Sequence, residues 1–72
     1  MLRLYTNDNM ARKYLQINNI VGAFVRHDDD GFNVYLGDPA SAVGFKESGP
    51  MRKREAIALR DQLNARIRNL TA

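Results

Sequence analysis

The stretch PMRKREAIALRDQLNARIRNL, residues 50–70, decides the fold: it reads as one amphipathic helix, and what precedes it reads as a small sheet built to cover that helix. Ala56, Leu59, Leu63, Ile67 and Leu70 recur at spacings of three and four, which gathers them on one stripe at about 100° per residue. That stripe is the expected core face. Gly49 and Pro50 suit an N-cap and a first helical position, because proline's fixed φ matches the first turn and its missing N–H is not needed there. The helix is therefore predicted to start at about Pro50. Neither Gly nor Pro interrupts residues 51–70, and Ala, Leu, Arg and Gln dominate them, so propensity agrees with the pattern.

Charge is the helix's second feature. Residues 51–72 hold six basic side chains (Arg52, Lys53, Arg54, Arg60, Arg66, Arg68) and two acidic ones (Glu55, Asp61), a net of +4, whereas the other fifty residues sum to −1. Arg52, Lys53 and Arg54 crowd the first turn, where the free N–H groups already make the helix end electropositive. Such a cluster is either a set of solvated surface charges or a place to hold an anion such as a phosphate.

Working back from the helix, Ala42-Val43-Gly44-Phe45-Lys46 reads as a strand, Gly37-Asp38-Pro39-Ala40-Ser41 as a turn and Phe32 to Leu36 as a second strand. Asp28-Asp29-Asp30-Gly31 is a hairpin turn, and Ile20 to His27, rich in β-branched and aromatic residues, is the strand before it. Leu2-Arg3-Leu4-Tyr5 alternates like a short strand, which would be a fourth. The turn formers Asn7, Asp8 and Asn9 follow, and Met10, Ala11, Tyr14 and Leu15 have the spacing of a two-turn helix over residues 9–16, broken at Asn18-Asn19. The fold class is thus α+β: an antiparallel meander of three or four strands packed on one C-terminal helix, with a short N-terminal helix allowed, in a single domain, residues 1–72.

Even loop lengths would pair His27 with Phe32, Arg26 with Asn33, Val25 with Val34 and Phe24 with Tyr35 in the first hairpin, and Leu36 with Val43 and Val34 with Phe45 in the second. One sheet face then gathers Ala23, Val25, Phe32, Val34, Leu36, Val43 and Phe45, the natural partner of the helix stripe. The other gathers Phe24, Arg26, Asn33, Tyr35, Gly44 and Lys46. Basic, aromatic and amide side chains together are the types that contact phosphates, stack on bases and hydrogen-bond base edges. Alternatively, Leu2, Leu4, Met10 and Tyr14 fold across this face and bury Phe24 and Tyr35 in a second small core.

Composition narrows the function. A 72-residue chain is one domain with too small a core for a deep active-site cleft, and with no cysteine it has neither disulfides nor thiolate metal sites. A cytoplasmic protein is the expectation, since no run approaches the roughly 18 apolar residues of a membrane span and the N-terminus lacks a signal-peptide core. His27 beside Asp28, Asp29 and Asp30 is the one cluster resembling an acid/base or metal site, but adjacent turn residues point apart and a calcium loop's alternating ligands are missing. Thr6, Ser41, Ser48 and Thr71 sit in no nucleophile elbow, and Gly22, Gly31, Gly37, Gly44 and Gly49 form no phosphate-binding loop. No enzyme, cofactor or metal is expected.

Net charge +3 and a pI near 9.7 favour polyanionic partners. The leading expectation is a non-catalytic nucleic-acid-binding module using Phe24, Arg26, Asn33, Tyr35 and Lys46 on the sheet face and Arg52, Lys53 and Arg54 at the helix start. The alternative is a protein-interaction module, an inhibitor or adaptor, docking on an acidic partner through the same surface or through Ile57, which lies off the apolar stripe among Lys53, Arg54, Arg60 and Arg68. So small a core also gains from association, so a homodimer is a further expectation.

Gly31-Phe32-Asn33-Val34-Tyr35, the turn Asp38-Pro39, the strand Val43-Gly44-Phe45 and the helix from Arg54-Glu55-Ala56-Ile57-Ala58-Leu59 through Asn64 together resemble the N-terminal arm-type DNA-binding domains of temperate-phage tyrosine integrases. The resemblance covers roughly the last fifty residues and implies a three-stranded antiparallel sheet backed by one C-terminal helix, in a protein of phage or mobile-element type. It also implies that the exposed sheet face enters the major groove, with base contacts from Arg26, Asn33 and Tyr35 and backbone contacts from Lys46, Arg52, Lys53 and Arg54. The segment before residue 19 and the acidic triplet at the hairpin tip depart from that pattern.

Overall fold

The C-terminal helix begins later than its sequence signature suggests. In the computed structural model, which describes residues 3–72, strand β3 (Val43–Met51) carries through Pro50, and the helix, α2, spans Lys53–Thr71. Arg52 is its N-cap and supplies no side-chain hydrogen bond, so the expected Gly49 cap and Pro50 first turn are corrected. Proline is tolerated there because β3 is an edge strand, where a missing N–H need not break a ladder.

Before β3 come α1 (Asp8–Ile17), β1 (Gly22–Asp28) and β2 (Gly31–Asp38), and the three strands form one antiparallel sheet in the order β1-β2-β3. The side chain of Asn7 accepts from the backbone N–H of Met10 at 2.9 Å and caps α1, while Asn18 and Asn19, the latter at φ 53°, end it. The stretch read as a strand at the N-terminus is a single 3-10 turn, Arg3–Tyr5; Leu2 lies outside the described residues. Two of its carbonyls find partners without a neighbouring strand. Arg66 Nε donates to the carbonyl of Leu4 at 2.8 Å, and Thr6 Oγ1 donates to that of Arg3 at 2.9 Å.

The first hairpin has the predicted register, from Phe24 opposite Tyr35 to His27 opposite Phe32. The second is displaced by two residues: Phe45 faces Leu36 and Lys46 faces Tyr35, so the pairings Leu36–Val43 and Val34–Phe45 are corrected. The loop between β2 and β3 holds four residues, closed by Ala42 at φ 55°. Register shifts on either side of Val34 then place Ser48 opposite Val34 and Met51 opposite Phe32.

Ala56, Leu63, Ile67 and Leu70 of α2 pack on Ala23, Val34 and Leu36 of the sheet, as the stripe requires. The N-terminal segment extends this core rather than forming a second one. Leu4, Ala11, Leu15 and Ile20 join it on the α2 side of the sheet, and Tyr14 packs against its margin. The alternative, a cover over Phe24 and Tyr35, is therefore not supplied by Leu4 or Tyr14. Val43 and Phe45, predicted to be core, are exposed, because α2 sits mainly over β1 and β2. Asn64 anchors α2 to the sheet margin: Ala23 N–H donates to its Oδ1 at 2.8 Å and its Nδ2 donates back to the Ala23 carbonyl at 3.1 Å.

Candidate interaction surface

Side chains two residues apart on a strand share a face, so Phe24, Arg26 and Asp28 of β1 stand beside Tyr35 and Asn33 of β2 on the side of the sheet away from α2. Phe24 stacks on Tyr35 (centroids 5.5 Å apart, planes at 16°), and the Arg26 guanidinium lies 4.2 Å over the same ring. The polar groups converge on Asp28. Arg26 Nε donates to its Oδ1 at 2.7 Å, and the Tyr35 hydroxyl and Asn33 Nδ2 donate to its Oδ2 at 2.6 and 2.8 Å. Arg26 Nη2 donates to the Tyr35 hydroxyl at 2.6 Å, Asn33 Nδ2 donates also to Asp30 at 2.9 Å, and Lys46 Nζ lies 3.7 Å from Asp30.

This face brings together five of the eight residues singled out from the sequence, but with their polar atoms turned to carboxylates. Asn33 is 1% exposed and Tyr35 6%, so in this arrangement neither presents an edge to a ligand. Arg26 and Lys46 are matched by Asp28 and Asp30, which removes the positive balance that attracts a polyanion. The other three residues lie elsewhere. Arg52, Lys53 and Arg54 are exposed at the start of α2 and, among the described residues, take part in no ion pair.

The hydrogen bond from Tyr35, then those from Arg26 and Asn33, hold the Asp28 carboxyl at about 2, below its ordinary 3.8. A carboxyl depressed on folding adds stability that is present above its unfolded pKa and lost as pH falls through the folded one. Stability should therefore decline between about pH 4 and pH 2, and Asp28→Asn should flatten that part of the curve. Urea midpoints followed by circular dichroism from pH 5 down to pH 2 check this; equal slopes for the two proteins would remove Asp28 as the cause.

A second surface carried no prediction. Met10, Tyr14 and Ile17 recur at the four- and three-residue spacing of one helix face, while Ala11 and Leu15 point into the core. Together they form one apolar arc of about 160° on α1, buried on its Ala11 and Leu15 side and open at Met10 and Ile17. The signal was in the sequence: five apolar side chains in a ten-residue helix fan over an arc wider than the core contact covers. The outward face is continuous with β3. Tyr14 meets Phe45 edge-on at 6.4 Å, and Val21 and Val43 are exposed beside it, lining with Phe45 a groove of about 530 Å³. Along α1, Arg3, Thr6, Met10, Lys13, Tyr14 and Ile17 line a second groove of about 420 Å³. Ile17 is 77% exposed, the most open large apolar side chain among the described residues. Burial, then the nearby Glu47, pushes the Tyr14 hydroxyl above its usual pKa, and burial likewise pushes the Glu47 carboxyl up.

No helix among the described residues is long and apolar enough to cross a membrane. No family model, curated protein or solved structure matches the chain. The integrase resemblance therefore rests on the residues quoted for it alone.

Proposed function

We propose that this is a non-catalytic protein-interaction module that docks a protein on the apolar face shared by α1 and β3. One observation carries the reading: apart from Tyr5, the large apolar side chains left exposed among the described residues, Met10, Ile17, Val21, Val43 and Phe45, fall on α1, the turn after it and the start of β3. Scattered exposed aliphatics are ordinary, whereas a contiguous group on a small protein marks a contact surface. The predicted nucleic-acid face is by comparison occupied by its own acid–base pairs.

Incorporating a photoactivatable side chain at Ile17, and as a control at Ala58 on the exposed side of α2, tests it in cells. A protein adduct identified by mass spectrometry at position 17 and missing at position 58 is the expected result. The absence of any protein adduct at 17 would overturn the reading.

A second reading keeps nucleic acid as partner, because Arg52, Lys53 and Arg54 stand together with no ion pair among the described residues. It requires anisotropy of labelled duplex DNA or single-stranded RNA to show saturable binding that weakens steeply with salt and is lost on Arg52→Glu/Lys53→Glu/Arg54→Glu. Loss instead on Arg26→Glu/Lys46→Glu would return the contact to the sheet face.

A further inference from the structure

We infer that the occupant of the α1–β3 face is a second copy of the chain, joined edge to edge along β3 about a two-fold axis through Phe45. The inference rests on the protein-interaction reading and narrows it to one partner.

The backbone supplies the first argument. The order β1-β2-β3 leaves two strands with a free edge. On β1 that edge is occupied at Ala23, whose N–H and carbonyl are both taken by Asn64 and so point away from β2. Alternation along paired strands then turns Leu36, opposite Ala23, toward β3, and Phe45, opposite Leu36, back toward β2. Gly44 and Lys46 consequently direct their N–H and carbonyl groups outward. Among the described residues no other element reaches those groups, which leaves a pairing template at the margin of the apolar face.

Side chains select the mate and the register. With Phe45 on the axis, Gly44 of each copy faces Lys46 of the other, so the long side chain meets a residue that has none. Phe45 meets its own symmetry mate, and Val43 faces Glu47. Moving the axis to Lys46 sets two ammonium groups against each other, and moving it to Gly44 shortens the paired stretch to the first few residues of β3. Lys46, which would discourage most edge contacts, thus leaves this one open. A two-fold normal to the sheet keeps both helical layers on the same side, so Met10, Tyr14 and Ile17 of the two α1 helices flank the axis beside the paired Phe45 rings. One contact thereby covers the exposed edge and the exposed apolar face together.

The test combines molar mass by light scattering over a concentration series with cysteine cross-linking, which is clean because the chain has no cysteine. A dimer is expected, weakened about a hundredfold or more by Phe45→Glu, which removes two buried rings and introduces two facing charges. Directly opposed positions of this type lie about 4.5 Å apart, within disulfide reach, so Phe45→Cys should oxidise to a covalent dimer. Lys46→Cys, whose mate is two residues along, should not. Circular dichroism of each variant separates lost pairing from lost folding. A monomer at every concentration, a dimer indifferent to Phe45→Glu, or cross-linking at Lys46→Cys in preference to Phe45→Cys would each overturn the inference. An adduct at Ile17 with a different protein, beside a monomeric mass, would end the inference while leaving the interaction reading in place.

Discussion

Gly49→Ala should destabilise the protein by at least about 3 kcal/mol, a large share of the roughly 4–11 kcal/mol that a chain of this length holds at ~0.05–0.15 kcal/mol per residue. Gly49 adopts φ +122°, a region that side chains rarely enter and that alone costs about 1–3 kcal/mol for any other residue. A methyl group there would lie 2.3 Å from Asn33 Oδ1 and 3.0 Å from both Asn33 Cα and the Phe32 carbonyl. Two of these three neighbours are backbone. The third belongs to a side chain pinned by Asp28 and Asp30 through its Nδ2, so it cannot swing clear without leaving two carboxylates short of a donor. The same close approach covers Asn33 Oδ1, which is buried with no hydrogen-bond partner among the described residues. Urea unfolding monitored by circular dichroism measures the loss. In the double variant with Asn33→Ala the extra cost of Gly49→Ala should fall, because the side-chain clash is removed and the backbone strain remains. A change under about 0.5 kcal/mol in the single variant would mean that β3 crosses Asn33 differently.

Gly49 also shows why part of the fold was hidden in the sequence. Gly49-Pro50 before an apolar-periodic run has the signature of a helix start, yet β3 uses this glycine to pass over Asn33 and uses Pro50 on a free edge. Whether such a pair starts a helix or finishes a strand is decided by the chain it lies against. The first hairpin was legible because Asp28 and Gly31 bracket a two-residue turn, which fixes every pair behind it. The second was not, because its loop closes with Ala42 at φ 55°, a conformation that alanine does not advertise. The outer face was half legible. Its membership follows from alternation, but Asp28 carries the signature of a turn although β1 extends through it, and Arg26 and Asp28, two apart on one strand, necessarily share that face. Exposure of Val43 and Phe45 depends on where α2 lies across the sheet, which no strand pattern encodes.

Leu63→Ala should cost about 3–4 kcal/mol, within the usual range for a buried leucine truncated to alanine. Leu63 is fully buried at the middle of the α2 stripe, in the same cluster as Val34 and Leu36 of the sheet and Leu4 and Leu15 of the N-terminal segment. A cavity there cannot be closed by one neighbour moving, because the surrounding side chains come from three different parts of the chain. Ile17→Glu is the instructive contrast: Ile17 is 77% exposed, so its replacement should change stability by less than about 0.5 kcal/mol. The two substitutions should therefore separate folding from docking. Leu63→Ala should lower the urea midpoint and weaken association only through the fraction of chain it unfolds. Ile17→Glu should leave the midpoint in place and weaken association directly. If Ile17→Glu instead lowered the midpoint as Leu63→Ala does, in a concentration-dependent manner, the face would be part of an obligate dimer whose folding and pairing are one event. If neither substitution affected association, α1 would have to owe the open side of its apolar arc, Met10 and Ile17, to something other than contact with a protein.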